Sequence, residues 1–122
     1  MKYIMITGAS SGIGEETARL LARQEDVTTI LVARNEEKLK KLVNEFGGET
    51  KYLVYDLTDV WHIESCFIKC REWGIKLDGL IHCAGIGENM PIRLIQTEHI
   101  KKMYQIHPMA FIELGKYFSK RK

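Results

Sequence analysis

Directly behind a short apolar run, Lys2 to Ile6 (Lys-Tyr-Ile-Met-Ile), the chain turns through Thr7-Gly8-Ala9-Ser10-Ser11-Gly12-Ile13-Gly14 and then takes on helical apolar spacing. A strand, a glycine-rich turn and a helix in that order constrain the fold more than any other feature, because together they build an anion cradle from main chain alone. Gly8 permits the tight turn. Gly12 lets the backbone approach a pyrophosphate with no β-carbon in the way, and Gly14 lets the helix lie close on the strand. The first helical N–H groups point at the anion with the positive end of the helix dipole behind them. Ser10 and Ser11 add hydroxyls that can donate to phosphate oxygens. A glycine triplet by itself serves any tight turn, so it is the flanking strand and helix that favour nucleotide binding.

Beyond this turn, strands and helices keep alternating. Ile13, Thr17, Leu20 and Leu21 share a helical face, with Glu15 and Glu16 in the first turn. Thr28 to Ala33 is β-branched and apolar, a second buried strand. Asn35 is placed to cap a helix carrying Leu39, Leu42, Val43 and Phe46, with Glu36–Lys40 and Glu37–Lys41 pairs on its outer face and Gly47-Gly48 ending it. Lys51 to Tyr55 is a third strand; Thr58 or Asp59 then caps a helix bearing Ile63, Cys66, Phe67 and Cys70. Asp78 to Ala84 makes a fourth strand closing on Gly85. The last helix starts near Thr97, with Ile100, Met103, Tyr104 and His107 on one face. Pro108 interrupts it, and Phe111, Leu114 and Phe118 resume the apolar face. Right-handed crossovers then give an α/β, doubly wound, Rossmann-like parallel sheet of order 3-2-1-4, truncated before strand 5, in a single domain spanning 1–122.

The net charge of +2 is too small to argue for nucleic acid or a membrane surface, and no apolar stretch approaches the length of a bilayer span. No signal peptide is expected, and three cysteines without a Cys-x-x-Cys pair point to a reducing cytoplasm. Cys66 and Cys70 have the spacing of a core stripe. His62, His82 and His99 lack metal-ligand spacing, so no metal site is expected.

A fold of this kind must also grip a ribose. An acidic residue at the end of the second strand accepts from a 2′-hydroxyl, whereas an arginine suits a 2′-phosphate. Ala33 occupies the acidic position and Arg34, with Asn35 beside it, follows. A guanidinium can fork onto phosphate and stack on adenine, so NADP(H) is favoured over NAD(H). The plainer alternative is an exposed arginine paired with Glu36 or Glu37.

The Gly-x-x-x-Gly-x-Gly spacing of Thr7 to Gly14 resembles the signature of the short-chain dehydrogenase/reductase family. The resemblance covers nearly all of this chain but only the N-terminal, cofactor-binding half of a family member. It implies cofactor contacts from Gly8, Ser10, Ser11, Gly12, Ile13 and Gly14, and it places Asp56-Leu57 against the adenine. Asp56 read plainly is a turn and capping residue. Cys83-Ala84-Gly85 stands where the family usually has Asn-Ala-Gly beside the nicotinamide ribose; nothing near Cys83 in sequence lowers its pKa toward that of a catalytic thiol. His107 falls where the family places an asparagine that holds a water of the proton relay; its plainer reading is a core histidine.

The family's proton transfer uses Tyr-x-x-x-Lys and a serine, on an element after a fifth strand, and none of the 122 residues supplies that pattern. Tyr117 with Arg121 imitates it in the wrong helix with a side chain that does not titrate. No catalytic residue is therefore assigned beyond the His107 position. The expectation is the NADP(H)-binding portion of an oxidoreductase, without turnover by this chain alone. A non-catalytic dinucleotide sensor and a functionless remnant are the alternatives. The fourth strand, left as a sheet edge, and the terminal helix suggest a homo-oligomer.

Overall fold

The computed structural model describes residues 1–84 and 92–120. Four parallel strands, β1 (Lys2–Thr7), β2 (Val27–Ala33), β3 (Lys51–Val54) and β4 (Gly79–His82), form one sheet in the order β3-β2-β1-β4. The register runs from Lys2 opposite Val27 to Thr7 opposite Val32, from Ile4 opposite Gly79 to Thr7 opposite His82, and from Ile30 opposite Lys51 to Ala33 opposite Val54. The expected doubly wound order is the observed one.

Both faces of the sheet are covered, which is why β1 and β2 read as unbroken apolar runs. The two-residue period sends Met5, Ile30 and Val32 to one face and Ile6, Leu31 and Ala33 to the other. The first face packs on α3 (Glu64–Glu72) and α5 (Ala110–Ser119) through Ile63, Phe67, Cys70, Ala110 and Leu114. The second packs on α1 (Gly12–Ala22) and α2 (Glu36–Phe46) through Ala18, Leu39 and Leu42. Cys66 and Cys70 are buried thiols, and burial pushes their pKa values up to about 12 and about 11.

Two helical faces differ from the sequence expectation. On α1 the buried positions are Gly14 and Ala18, while Ile13 (78% exposed) and Leu20 (60%) face outward. In its first turns the helix lies so close to the sheet that small side chains face it, and Leu21 packs against the core from the last turn, as expected. Beyond β4, α4 (Thr97–Tyr104) keeps Ile100, Met103 and Tyr104 exposed. The buried stripe is instead Ile106, Ala110 and Leu114, and Phe111 (58%) faces out.

Pro108 has the disruptive effect expected of it. Between α4 and α5 the chain opens into a π turn over Gln105–Met109, since proline removes one N–H from the ladder and crowds the preceding turn. Asn35 caps α2 by accepting from the Lys38 N–H at 3.1 Å, and Asp59 accepts from the Trp61 N–H at 3.2 Å to start the short turn before α3. The ion pairs expected within α2 are absent among the described residues. They are replaced by pairs that tie α1 to α2, Arg19 to Glu45 at 2.8 Å and Lys38 to Glu15 at 3.2 Å.

Candidate functional site

Because all four strands run parallel, their C-terminal ends share one edge, and the crevice outside that edge is where such sheets take ligands. The cleft there is lined by Gly8, Ser10 and Ser11 from the β1–α1 loop, and by Val32, Ala33 and Arg34 at the end of β2. Tyr55 and Leu57 behind β3, Cys83 and Ala84 behind β4, and Ile106 of the π turn complete it. A second, more apolar hollow lies against the same Cys83–Ala84 segment and is lined by Ile13, His82, His107, Pro108 and Phe111. Residues far apart in sequence thus converge on two hollows sharing one wall. Gly85 lies outside the described residues.

The glycines of the loop have separate duties. Gly8 sits at φ +65°, and a β-carbon there would come within 2.5 Å of the Ala84 nitrogen, so the loop presses against the end of β4. At Gly14 a β-carbon would stand 2.0 Å from the Gly8 carbonyl oxygen, which fixes how closely α1 meets the loop. Gly12 is different: φ is +55° and nothing lies within 4 Å of the added atom. Its bare α-carbon borders open space at the N-terminus of α1. Ser11 holds the N-cap position in extended conformation but makes no capping bond with its side chain, and among the described residues its hydroxyl is unspent.

Arg34 is exposed, and among the described residues it forms neither of the ion pairs with Glu36 or Glu37 that the plainer reading anticipated. Asn35 spends its side chain on the α2 cap and does not line the cleft. Asp56 accepts from the Thr58 N–H at 3.0 Å and the Thr58 hydroxyl at 2.8 Å with one carboxylate oxygen. Partial burial pushes its pKa up, but the Thr58 bonds and the charges of Arg34 and Lys102 outweigh it and hold the carboxyl below its ordinary range. Asp56 is therefore both a turn residue and a carboxylate within the field of Arg34.

Sequence reasoning missed several residues that shape this edge. Tyr55 forms a wall of the cleft, its hydroxyl donating to the Asp59 carbonyl, and burial raises its pKa far above the ordinary value. Its place immediately before Asp56-Leu57 was the available signal. Thr7 and His82 are joined by a hydrogen bond of 2.7 Å, a contact between residues 75 positions apart that no local pattern reveals. His107 is exposed and borders the second hollow, so it is not the core histidine of the plainer reading.

A family model described as short chain dehydrogenase matches residues 2–121. An uncharacterized oxidoreductase of Listeria innocua, Lin0452, is 36% identical over 110 residues, covering 87% of this chain and 44% of that protein. Among solved structures, an alcohol dehydrogenase from the archaeon Thermococcus sibiricus complexed with 5-hydroxy-NADP superposes with a TM-score of 0.88 at 30% identity, over 99% of this chain and 53% of that one. A 4-hydroxyisoleucine dehydrogenase complexed with NADH superposes with a TM-score of 0.86 at 26% identity, over 99% of this chain and 49% of that one. The chain spans about half the length of the relatives it matches, corresponding to their N-terminal portion.

Proposed function

This chain belongs to the short-chain dehydrogenase family, and from that premise we propose that it is the NADP(H)-binding portion of an oxidoreductase. The observation that carries the reading is the open cradle at Gly12. A positive-φ glycine with empty space before it stands at the N-terminus of a helix, beside the unspent Ser11 hydroxyl. These are the requirements for holding a diphosphate on main-chain N–H groups.

In this reading Gly8, Ser10, Ser11, Gly12, Ile13 and Gly14 form the diphosphate loop. Arg34, with Asn35 behind it, takes the 2′-phosphate of the adenosine, since among the described residues no carboxylate forms an ion pair with its guanidinium. Asp56 and Leu57 meet the adenine, Asp56 with the oxygen not spent on Thr58. Cys83, Ala84 and Gly85 pass beside the nicotinamide ribose, and His107 orders a water at the edge of the second hollow. The cofactor, once bound, supplies a hydride for carbonyl reduction. This chain's residues bind it, orient it and flank its reactive end. No Tyr-x-x-x-Lys pair occurs among the 122 residues, so turnover is not expected from this chain alone.

Titration followed by NADPH fluorescence tests the reading. Saturable binding is expected, with NADH at least about tenfold weaker, the size of one charge-assisted phosphate contact. Arg34→Asp is expected to reverse that preference. A flat titration at millimolar cofactor would sink the reading. Binding with no preference, unaltered in the variant, would remove Arg34 from it.

A further inference from the structure

We propose that His82 is a positioning residue, whose neutral imidazole ties the π turn to the ends of β1 and β4 and so sets the walls of the cofactor cleft. Its functional consequence rests on the dinucleotide reading above; its geometry does not.

The assignment begins with Thr7. The Thr7 hydroxyl oxygen accepts from the Cys83 N–H at 3.0 Å and from the Ala84 N–H at 3.2 Å. Its own proton is left to donate to His82 Nδ1, 2.7 Å away. On the opposite side of the ring, Nε2 lies 3.0 Å from the Ile106 carbonyl oxygen. A carbonyl only accepts, so Nε2 must carry the proton and Nδ1 must be the acceptor. Every bond in the chain then has one donor and one acceptor, and the tautomer is fixed by its partners. Burial favours this neutral form.

The link matters because of what stands at its far end. In a π turn the regular ladder is interrupted, and a side chain can reach a main-chain oxygen that an ordinary turn keeps enclosed. Ile106 is that oxygen's residue: its side chain is buried in the core and also lines the cleft. His107, the next residue, borders the second hollow. One turn further on, the Phe111 ring stacks on the imidazole at 6.1 Å and 28°. The imidazole therefore ties the turn to the sheet through its bond to the Ile106 carbonyl oxygen, and its ring face meets Phe111 at the start of α5. Cys83 and Ala84, held by the same Thr7 oxygen, form the wall that the two hollows share. Moving the ring would move the three cleft walls at Ala84, Cys83 and Ile106 together.

The test compares His82→Asn with His82→Leu in the full 122-residue chain. Asparagine places an amide oxygen where Nδ1 stood and can accept from the Thr7 hydroxyl, but it is too short to span to the Ile106 carbonyl; leucine fills similar space and makes neither bond. Leucine is expected to weaken NADPH binding at least about tenfold and to speed amide exchange at Cys83 and Ala84. Asparagine, which keeps the Thr7 bond, should stay within about threefold of the unmodified protein in exchange at Cys83 and Ala84 and should bind NADPH more tightly than leucine does. In the unmodified protein, long-range nitrogen–proton spectra of the His82 ring should show the Nε2–H tautomer alone. A role confined to bulk stability would lower affinity in proportion to melting temperature, with no rescue by asparagine.

The proposal is overturned if leucine binds and exchanges like the unmodified protein, if asparagine fares no better than leucine, or if the ring is the Nδ1–H tautomer. Should the leucine variant fail to fold, the tautomer and the asparagine variant still decide. If the unmodified chain binds no NADPH at all, the dinucleotide reading fails, and ring tautomer and amide exchange judge the His82 link separately.

Discussion

At the scale of single residues, the loop's glycines differ in what surrounds them. A β-carbon at Gly14 would meet a main-chain oxygen that cannot move away without dragging α1 off the sheet. Gly14→Ala is therefore expected to cost about 3 kcal/mol or more, an overpacking against backbone rather than against a flexible side chain. Gly12→Ala meets nothing and bears only the strain of a left-handed backbone, about 1 kcal/mol. Yet its methyl group would project into the cradle. Urea melts and NADPH titration of the two variants should diverge, with Gly12→Ala folded but weakened for cofactor and Gly14→Ala destabilised outright. Equal stability losses would show that the loop's glycines are not divided in this way. The close packing at Gly8 and Gly14 was legible in the sequence because it follows from their places between strand and helix. The Thr7–His82–Ile106 link was not, because it joins residues from three distant segments.

At the scale of elements, the sequence showed where helices lie better than which way they face. Asn35 was readable as a cap because a cap is a local bond, whereas Asp59, one of two candidates to cap α3, caps the short turn before it instead. The orientation of α5 was not, because it depends on the angle at which the π turn releases the chain. An unbroken helix would have carried the Ile100–Tyr104–His107 face onward to Phe111. The widened turn at Pro108 shifts the register, and Ile106, Ala110 and Leu114 turn to the core instead. Stability measurements can check that shift. Leu114, wholly buried in the core that α5 shares with α3, is expected to cost about 3 kcal/mol as Leu114→Ala. Ile112, 65% exposed, is expected to change stability by no more than about 0.5 kcal/mol as Ile112→Ala. Comparable losses at both positions would mean that the stripe has been assigned to the wrong face. On α1 the apolar pattern misled at Ile13 and Leu20 for a different reason: close approach to the sheet selects small residues, so Gly14 and Ala18 mark the inner face, joined by Leu21 in the last turn.

At the scale of the whole molecule, strand order was the most readable property, since right-handed crossovers and a phosphate loop behind the first strand leave few topologies. The same order leaves β4 paired only with β1 among the described residues. In the full dinucleotide-binding fold a fifth strand follows the fourth in the sheet. The surface beside this edge carries more exposed apolar area: Met103, Tyr104, Met109, Phe111 and Ile112 all lie on α4, the π turn or the outer side of α5. An open edge and an adjoining apolar helix face both lower their free energy by being covered. Self-association of this chain is therefore expected, and sedimentation velocity over a hundredfold concentration range should show species heavier than a monomer. The double variant Phe111→Lys, Ile112→Lys tells the two surfaces apart. It should restore the monomer if the helix face carries the contact and leave the assembly intact if the strand edge does. A single monomeric boundary for the unmodified chain at every concentration would show that neither surface drives association.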